Sequence, residues 1–148
     1  MKIVIASDHG GYEYKQMLIP FVTDLGHEVR DLGGDGSASD YPDMGELAAR
    51  EVAAGRADVG VILCGTGIGI SMTANKVHGI RAALCTDPLM ARLSREHNNA
   101  NMLALGGRII GPELCKEIVK VFLATEPSTA ERHLRRVGKI MAVENRQG

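Results

Sequence analysis

The sequence contains no tryptophan, and aromatic residues make up only 3% of it, so its core must be assembled from Ile, Val, Leu, Ala and Met. It has no excess of charge. Seventeen Lys and Arg stand against 18 Asp and Glu, interspersed, for a formal net charge of -1, which excludes the basic footprint by which proteins hold DNA, RNA or an anionic membrane. Cysteine is scarce and odd in number. Cys64, Cys85 and Cys115 lie far apart, which fits neither a disulfide framework nor zinc-type Cys-x-x-Cys pairs and points to a reducing compartment. No stretch approaches the ~20 apolar residues that span a bilayer. Met1-Lys2 leads into only four apolar residues before Ser7-Asp8-His9, too few for the core of a signal peptide. Internal repeats and low-complexity segments are also missing. These absences leave the expectation of a cytoplasmic protein whose partner is a small molecule, not a nucleic acid or a membrane.

What is present is a chain of 148 residues, 45% of them hydrophobic, enough for one domain over residues 1–148 with a single substantial core. Short apolar runs rich in β-branched residues recur at Ile3-Ala6, His27-Leu32, Val59-Leu63, Ile80-Cys85 and Asn101-Leu105, separated by helically patterned segments. The third run is unrelieved, as in a central parallel strand covered on both faces; the second, with Glu28, Arg30 and Asp31, reads as an edge. Asp87-Pro88, Pro42-Asp43 and Gly111-Pro112-Glu113 read as helix starts, and Gly26 and Gly55 as helix ends. A last helix is expected from about Ala130 to Asn145, with Leu134, Val137, Ile140 and Met141 on one face, to cap the sheet or reach a partner. The fold class is therefore α/β: a doubly wound, Rossmann-like, five-stranded parallel sheet in the order 2-1-3-4-5, with helices on both faces and an extra C-terminal helix.

Open α/β sheets bind ligands beyond the carboxyl ends of their strands, where strand order reverses. Between strands one and three that point receives Ser7-Asp8-His9-Gly10-Gly11 and Cys64-Gly65-Thr66-Gly67-Ile68-Gly69. The second of these loops opens into a helix, exposing backbone N–H groups to an anion such as phosphate, carboxylate or a developing oxyanion. The bland reading is a tight turn with no ligand. Cys64 stands where a helix N-terminus favours the thiolate, which leaves it open as nucleophile, proton-abstracting base or packing residue; Cys85 and Cys115 read as packing.

Asp8 and His9 form a carboxylate–imidazole pair suited to acid–base work. His97, where a helix gives way to strand five, is expected near the same carboxyl edge. Arg132 and Arg136 share a helical face and could hold a phosphate between two guanidinium groups, or be a solvated basic face. Arg108 emerges from strand five, and the polar loop Gly33–Asp40 serves either function or mere insertion.

Together these residues resemble a family. Ser7-Asp8-His9-Gly10-Gly11, Asp40-Tyr41-Pro42, Cys64 to Ser71, Ala74-Asn75-Lys76, Gly79 to Ala83, Ser94 to Asn98 and Arg108 match, over essentially the whole chain, the type B ribose-5-phosphate isomerases, whose superfamily includes galactose-6-phosphate isomerase subunits. The resemblance implies an aldose–ketose isomerase acting on ribose 5-phosphate and ribulose 5-phosphate through an enediolate. It implies neither metal nor organic cofactor, and a homodimer or dimer of dimers with the site at the subunit interface.

Carried across, Cys64 is the base and His97 the acid that opens the sugar ring. Asp8, His9 and Tyr41 line the sugar. Gly65, Gly67, Ile68, Gly69 and Asn98 hold the enediolate, with Thr66 among its donors, and Arg108, Arg132 and Arg136 take the phosphate. The sequence departs from the family in one place. Ala130-Glu131 replaces a Gly-Gly pair before Arg132-His133 and sets a carboxylate beside the phosphate site, which keeps allose 6-phosphate, galactose 6-phosphate and tetrose 4-phosphates open as substrates.

Two other readings compete. Strand three, the glycine loop and Asp87 about 20 residues on imitate a dinucleotide fingerprint, although Ile70 replaces its last glycine and Asp87-Pro88 is more simply a helix cap. A sugar-phosphate sensor would keep the pocket and lack turnover.

Overall fold

The computed structural model describes residues 1–147. Strand β1 (Lys2–Ser7) runs through a 3-10 turn (His9–Gly11) into helix α1 (Tyr12–Asp24). There follow β2 (Glu28–Asp31), α2 (Tyr41–Ala53), β3 (Val59–Cys64), α3 (Ile68–Ala74), β4 (Ala82–Leu84), α4 (Pro88–Asn98), β5 (Met102–Gly106), α5 (Pro112–Ala124) and α6 (Glu131–Arg146). All five expected strands are found within a residue or two of their apolar runs.

The helix starts follow their caps. Asp87 accepts a hydrogen bond from the Met90 N–H at 2.8 Å, satisfying one orphan donor of α4. Pro42 and Pro112 occupy the first turns of α2 and α5. No helix among the described residues is long and apolar enough to cross a membrane.

The sheet is parallel throughout, with helices on both faces. Alternation along the strands divides the core. Ile3, Ile5, Val59, Val61, Leu63, Leu103 and Leu105 pack with Leu18 and Val22 of α1, Ala91 of α4 and Cys115, Ile118 and Phe122 of α5. Val4, Ala6, Ile62, Cys64, Met102 and Ala104 pack with Ala48, Ala49 and Val52 of α2 and Ile70 and Ala74 of α3. Cys64 therefore projects onto the α2/α3 face.

The order is β2-β1-β3-β5-β4, which corrects the expected 2-1-3-4-5 at one step: β5 inserts between β3 and β4. Burial explains the exchange. Met102–Gly106 is uncharged and wholly buried, as a strand with neighbours on both sides should be, whereas β4 has three half-buried residues preceded by Arg81 and takes the edge. The switch between β1 and β3 is unaffected. The consequence for the site is large: β5 now pairs with β3, Gly106 opposite Cys64. In the expected order Arg108 would emerge about two strand spacings from Cys64, ~10 Å, and here it emerges one away.

Helix α6 packs along α4 with a face that differs from the expected one. His133 is buried and Val137 and Met141 half-buried, whereas Leu134, Ile140 and Val143 are exposed.

Candidate active site

At the carboxyl end of the sheet three glycine-bearing loops meet backbone to backbone. The Gly107 N–H donates to the Cys64 carbonyl and the Arg108 N–H to the Gly65 carbonyl, both at 2.9 Å. A Cβ on Gly10 would sit 2.8 Å from the Gly65 nitrogen, and one on Gly107 2.6 Å from the Gly10 carbonyl oxygen. Contacts this close exclude side chains. Gly67 is constrained twice, by φ of 78° and by Leu84 and Leu105, which a Cβ would meet at 2.6 and 2.9 Å.

Onto this scaffold the sequence hangs its reactive groups. Asp8, Tyr41, Cys64, Gly65, Thr66, Ile68, Gly69 and Met72 line a shallow cleft of ≈ 380 Å³. Cys64 is 4% exposed, and its Sγ accepts the Gly67 N–H at 3.1 Å. The Ile68 N–H donates to Thr66 Oγ1 at 3.1 Å. The N–H groups of Thr66 and Gly69, both lining the cleft, donate to no protein atom among the described residues. Two of the loop's donors, those of Gly67 and Ile68, are thus spent inside the loop, and those of Thr66 and Gly69 remain for a ligand. The Tyr41 ring covers Gly69 and leaves no room for a Cβ there. The Arg108 side chain lies along Gly65, its Cδ 3.4 Å from the position of a Cβ there. The other two thiols are inert by burial, which pushes Cys85 up to about 11 and Cys115 up to about 12.

The expected Asp8–His9 pair is not formed. Asp8 Oδ1 accepts the Gly10 N–H at 2.8 Å and caps the 3-10 turn, while His9 Nδ1 accepts the Ser39 N–H at 3.3 Å. Adjacent residues leaving a strand point to different neighbours, and each found a backbone donor. The His9 contact also settles what the Gly33–Asp40 loop does locally: it leans on the site. Its root is fixed by Lys15, wholly buried, whose Nζ donates to Asp31 Oδ1 at 2.8 Å and the Gly33 carbonyl at 2.7 Å. Sequence reasoning missed Lys15. Its signal was a lysine in the apolar stripe it shares with Leu18 and Val22.

His97, Asn98, Arg132 and Arg136 lie elsewhere, which corrects the expectation that His97 stands at the carboxyl edge. Helix α4 starts at that edge and runs back along the sheet for 11 residues, ~16 Å at 1.5 Å per residue, so its last turn is at the amino end. There Arg81, just before β4, donates from Nε to the Asn98 and Asn99 carbonyls at 3.1 and 3.0 Å. His97 stacks on His133, ring centroids 4.3 Å apart. Arg132 and Arg136 are exposed at the start of α6. Glu131 is paired with Arg135, one turn on, so its carboxylate is turned to that partner. Asn98 lines a second hollow of ≈ 490 Å³, with Arg81, Met141 and Glu144. We assign the chemistry to the smaller cleft, because it holds the thiol, a carboxylate and the unspent N–H groups. Asp87, spent on its helix cap, is not available to a ribose, and the dinucleotide reading loses its acidic residue. Among the described residues no three His, Cys, Asp or Glu side chains converge to hold a metal.

The chain is similar to known proteins over nearly its whole length. The family described as Ribose/Galactose Isomerase matches residues 3–140. The solved structure of Clostridium thermocellum ribose-5-phosphate isomerase B superposes with a TM-score of 0.97 at 50% identity, covering 100% of both chains. Ribose-5-phosphate isomerase B of Escherichia coli is 43% identical over 99% of this chain and 98% of its own. A D-erythrulose-4-phosphate isomerase of Pectobacterium atrosepticum is 40% identical over 85% of this chain and 84% of its own.

Proposed function

The chain belongs to the ribose/galactose isomerase family and is an aldose–ketose isomerase of sugar phosphates, and we propose that its substrate pair is ribose 5-phosphate and ribulose 5-phosphate. The observation that carries the reading is the cleft that the Cys64 thiol shares with the unspent N–H groups of Thr66 and Gly69. Isomerisation removes a proton from the carbon beside the carbonyl and returns it to the neighbouring carbon, through an enediolate. A base and oriented donors are what that needs, and each donor can lower the barrier by ~3 kcal/mol.

Cys64 is the base in this reading. Thr66 and the loop N–H groups stabilise the enediolate, and Asp8, His9 and Tyr41 hold the sugar hydroxyls. A five-carbon substrate is favoured by the two relatives named for ribose 5-phosphate, which match the full chain. The test is a panel of aldose phosphates of four, five and six carbons, assayed for ketose formation and for exchange of the C2 proton with deuterated water. Turnover of another sugar with none of ribose 5-phosphate would overturn the substrate. Binding without exchange would make the protein a sensor.

The site is completed by a second copy of the chain. His97, Asn98, Arg132 and Arg136 stand a helix length from Cys64 in one copy. Exposed Ile68 and Met72 at the cleft, and Leu134, Ile140 and Val143 on α6, offer apolar surface to a partner. Cys64→Ala and His97→Asn, each inactive alone, should therefore complement when mixed as dissociated subunits. Random pairing gives about half heterodimers with one intact site each, hence about a quarter of wild-type activity in a C2 dimer. No recovery would mean that each site draws on one chain.

A further inference from the structure

Helix α6 buries a single side chain, His133, 7% exposed, while the apolar Leu134, Ile140 and Val143 of the same helix stay outside. Burying a polar ring in preference to three aliphatic ones calls for a reason. Hydrogen bonding does not supply it, for His133 Nδ1 is buried with no partner among the described residues. What His133 does touch is a ring face: its imidazole lies on that of His97, centroids 4.3 Å apart and planes 28° from parallel.

The end of α4 and the segment leading into α6 are already held without this contact. Arg95 donates to the carbonyls of Ala100 at 2.5 Å and Thr125 at 3.2 Å. The Ser128 N–H donates to the Glu96 carbonyl at 3.0 Å. The degree of freedom left over is the rotation of the His97 ring, and the stack removes it. Burial first, then Arg132, His97 and Arg136, lowers His133 from its ordinary value, with Glu96 opposing. That shift favours the neutral form of the His133 ring that lies on His97.

On the reading that His97 opens the sugar ring, we propose that His133 is a positioning residue, whose stacked ring holds the His97 imidazole in the orientation from which it protonates the ring oxygen of cyclic ribose 5-phosphate. Opening breaks the C1–O4 bond. Its electron pair goes to O4, which takes the proton of His97. The C1 hydroxyl releases its proton to water, and its O–H pair closes the C1–O double bond. His97 regains a proton from solvent, so the step needs no co-reactant.

Ribulose 5-phosphate gives the discriminating test, because the oxygen that would close a five-membered ring on its C2 carries the phosphate and the ketose stays open. Exchange of its C1 proton with deuterated water needs the base, the loop and the phosphate arginines, but no ring opening. His133→Leu should lower kcat on ribose 5-phosphate by ~10-fold or more, a fraction of what a positioned general acid supplies, and leave the ribulose 5-phosphate exchange within about twofold of wild type. His133→Phe keeps a flat ring and should restore turnover to within ~3-fold of wild type, since only the face of the ring is used.

Equal loss of both reactions in His133→Leu would overturn the proposal and make His133 a seat for α6 and its arginines. Unchanged kinetics would overturn it too, as would a phenylalanine variant no better than leucine. A wild-type enzyme inactive in both assays would instead sink the isomerase reading on which this one stands.

Discussion

At the carboxyl end of the sheet the reactive side chains stand on backbone, whereas at the amino end they stand on other side chains. Gly10 and Gly107 pack there at distances that admit no Cβ, and the Cys64 sulfur and Thr66 hydroxyl are held by amides of their own loop. The last turn of α4 and the first of α6 are held instead by Arg81, Arg95 and the stacked histidines, and Arg132 and Arg136 reach out from them into solvent. Backbone fixes donors to fractions of an ångström, as an oxyanion site requires. Long cationic side chains tolerate a ligand of varying length, as the far end of a family with several sugar substrates requires. In the proposed function the reacting carbons lie at the rigid end, and Arg132 and Arg136 of the adaptable end reach the phosphate held by a second copy.

The sharpest way to break this contrast is Cys64→Ala. Turnover should fall by ~10³-fold, within the range of a positioned base, with a small loss of stability, on the order of 1 kcal/mol, from the buried sulfur and the Gly67 N–H it accepts. Near-wild-type kcat would remove Cys64 from the chemistry. Next comes Gly67→Ala. A side chain at φ 78° that also meets Leu84 and Leu105 should cost on the order of 1–3 kcal/mol of stability, read by denaturant melts, and lower kcat more than KM. Gly138 of α6 has nothing within 4 Å of a built Cβ, and Gly138→Ala should stabilise by about 0.5–1 kcal/mol; equal losses at both glycines would erase the distinction between the ends.

Arg136→Ala should raise KM for the phosphorylated sugar by ~10-fold with little change in kcat, the mark of binding shared by ground and transition states. An unchanged KM would return the basic turn to a solvated face. The smallest effect expected is in acid. Hydrogen bonds from Arg56, and then Arg30, hold the Glu51 carboxylate down to about 2. A depressed carboxylate stabilises above its ordinary value near 4.5 and loses that contribution as pH falls towards 2. Melting temperatures of wild type and Glu51→Gln should therefore differ at pH 7 and converge by about pH 2. A constant difference would mean the charge of Glu51 is irrelevant.

Much of the carboxyl end was legible in the sequence, because its logic is local. The unrelieved Val59–Leu63 run, the alternate glycines after Cys64 and the Asp87-Pro88 cap each act over a few residues, and strand three, the loop and the start of α4 stand where they point. Less of the amino end was legible. His97 is close in sequence to its helix cap and to strand five, but which end of the sheet receives it depends on the length and direction of α4. The His97–His133 stack joins residues 36 apart on two helices, and nothing in either segment announces the other. Lys15 carried a signal, a lysine in an apolar stripe, whose meaning appears only once Asp31 and Gly33 are seen beside it.

The sequence by itself determined the α/β alternation, the strands, the caps and a glycine loop bearing Cys64, because backbone preference and hydrophobic period are properties of short segments. The tertiary structure alone decided that β5 lies inside β4, which loop amides remain unspent, that Asp8 and His9 part company, and that His97 and Arg132 stand at the far end from Cys64. Those outcomes come from competition for burial and hydrogen-bond partners among segments distant in the chain, and that competition is resolved only when the whole sheet is closed on its helices.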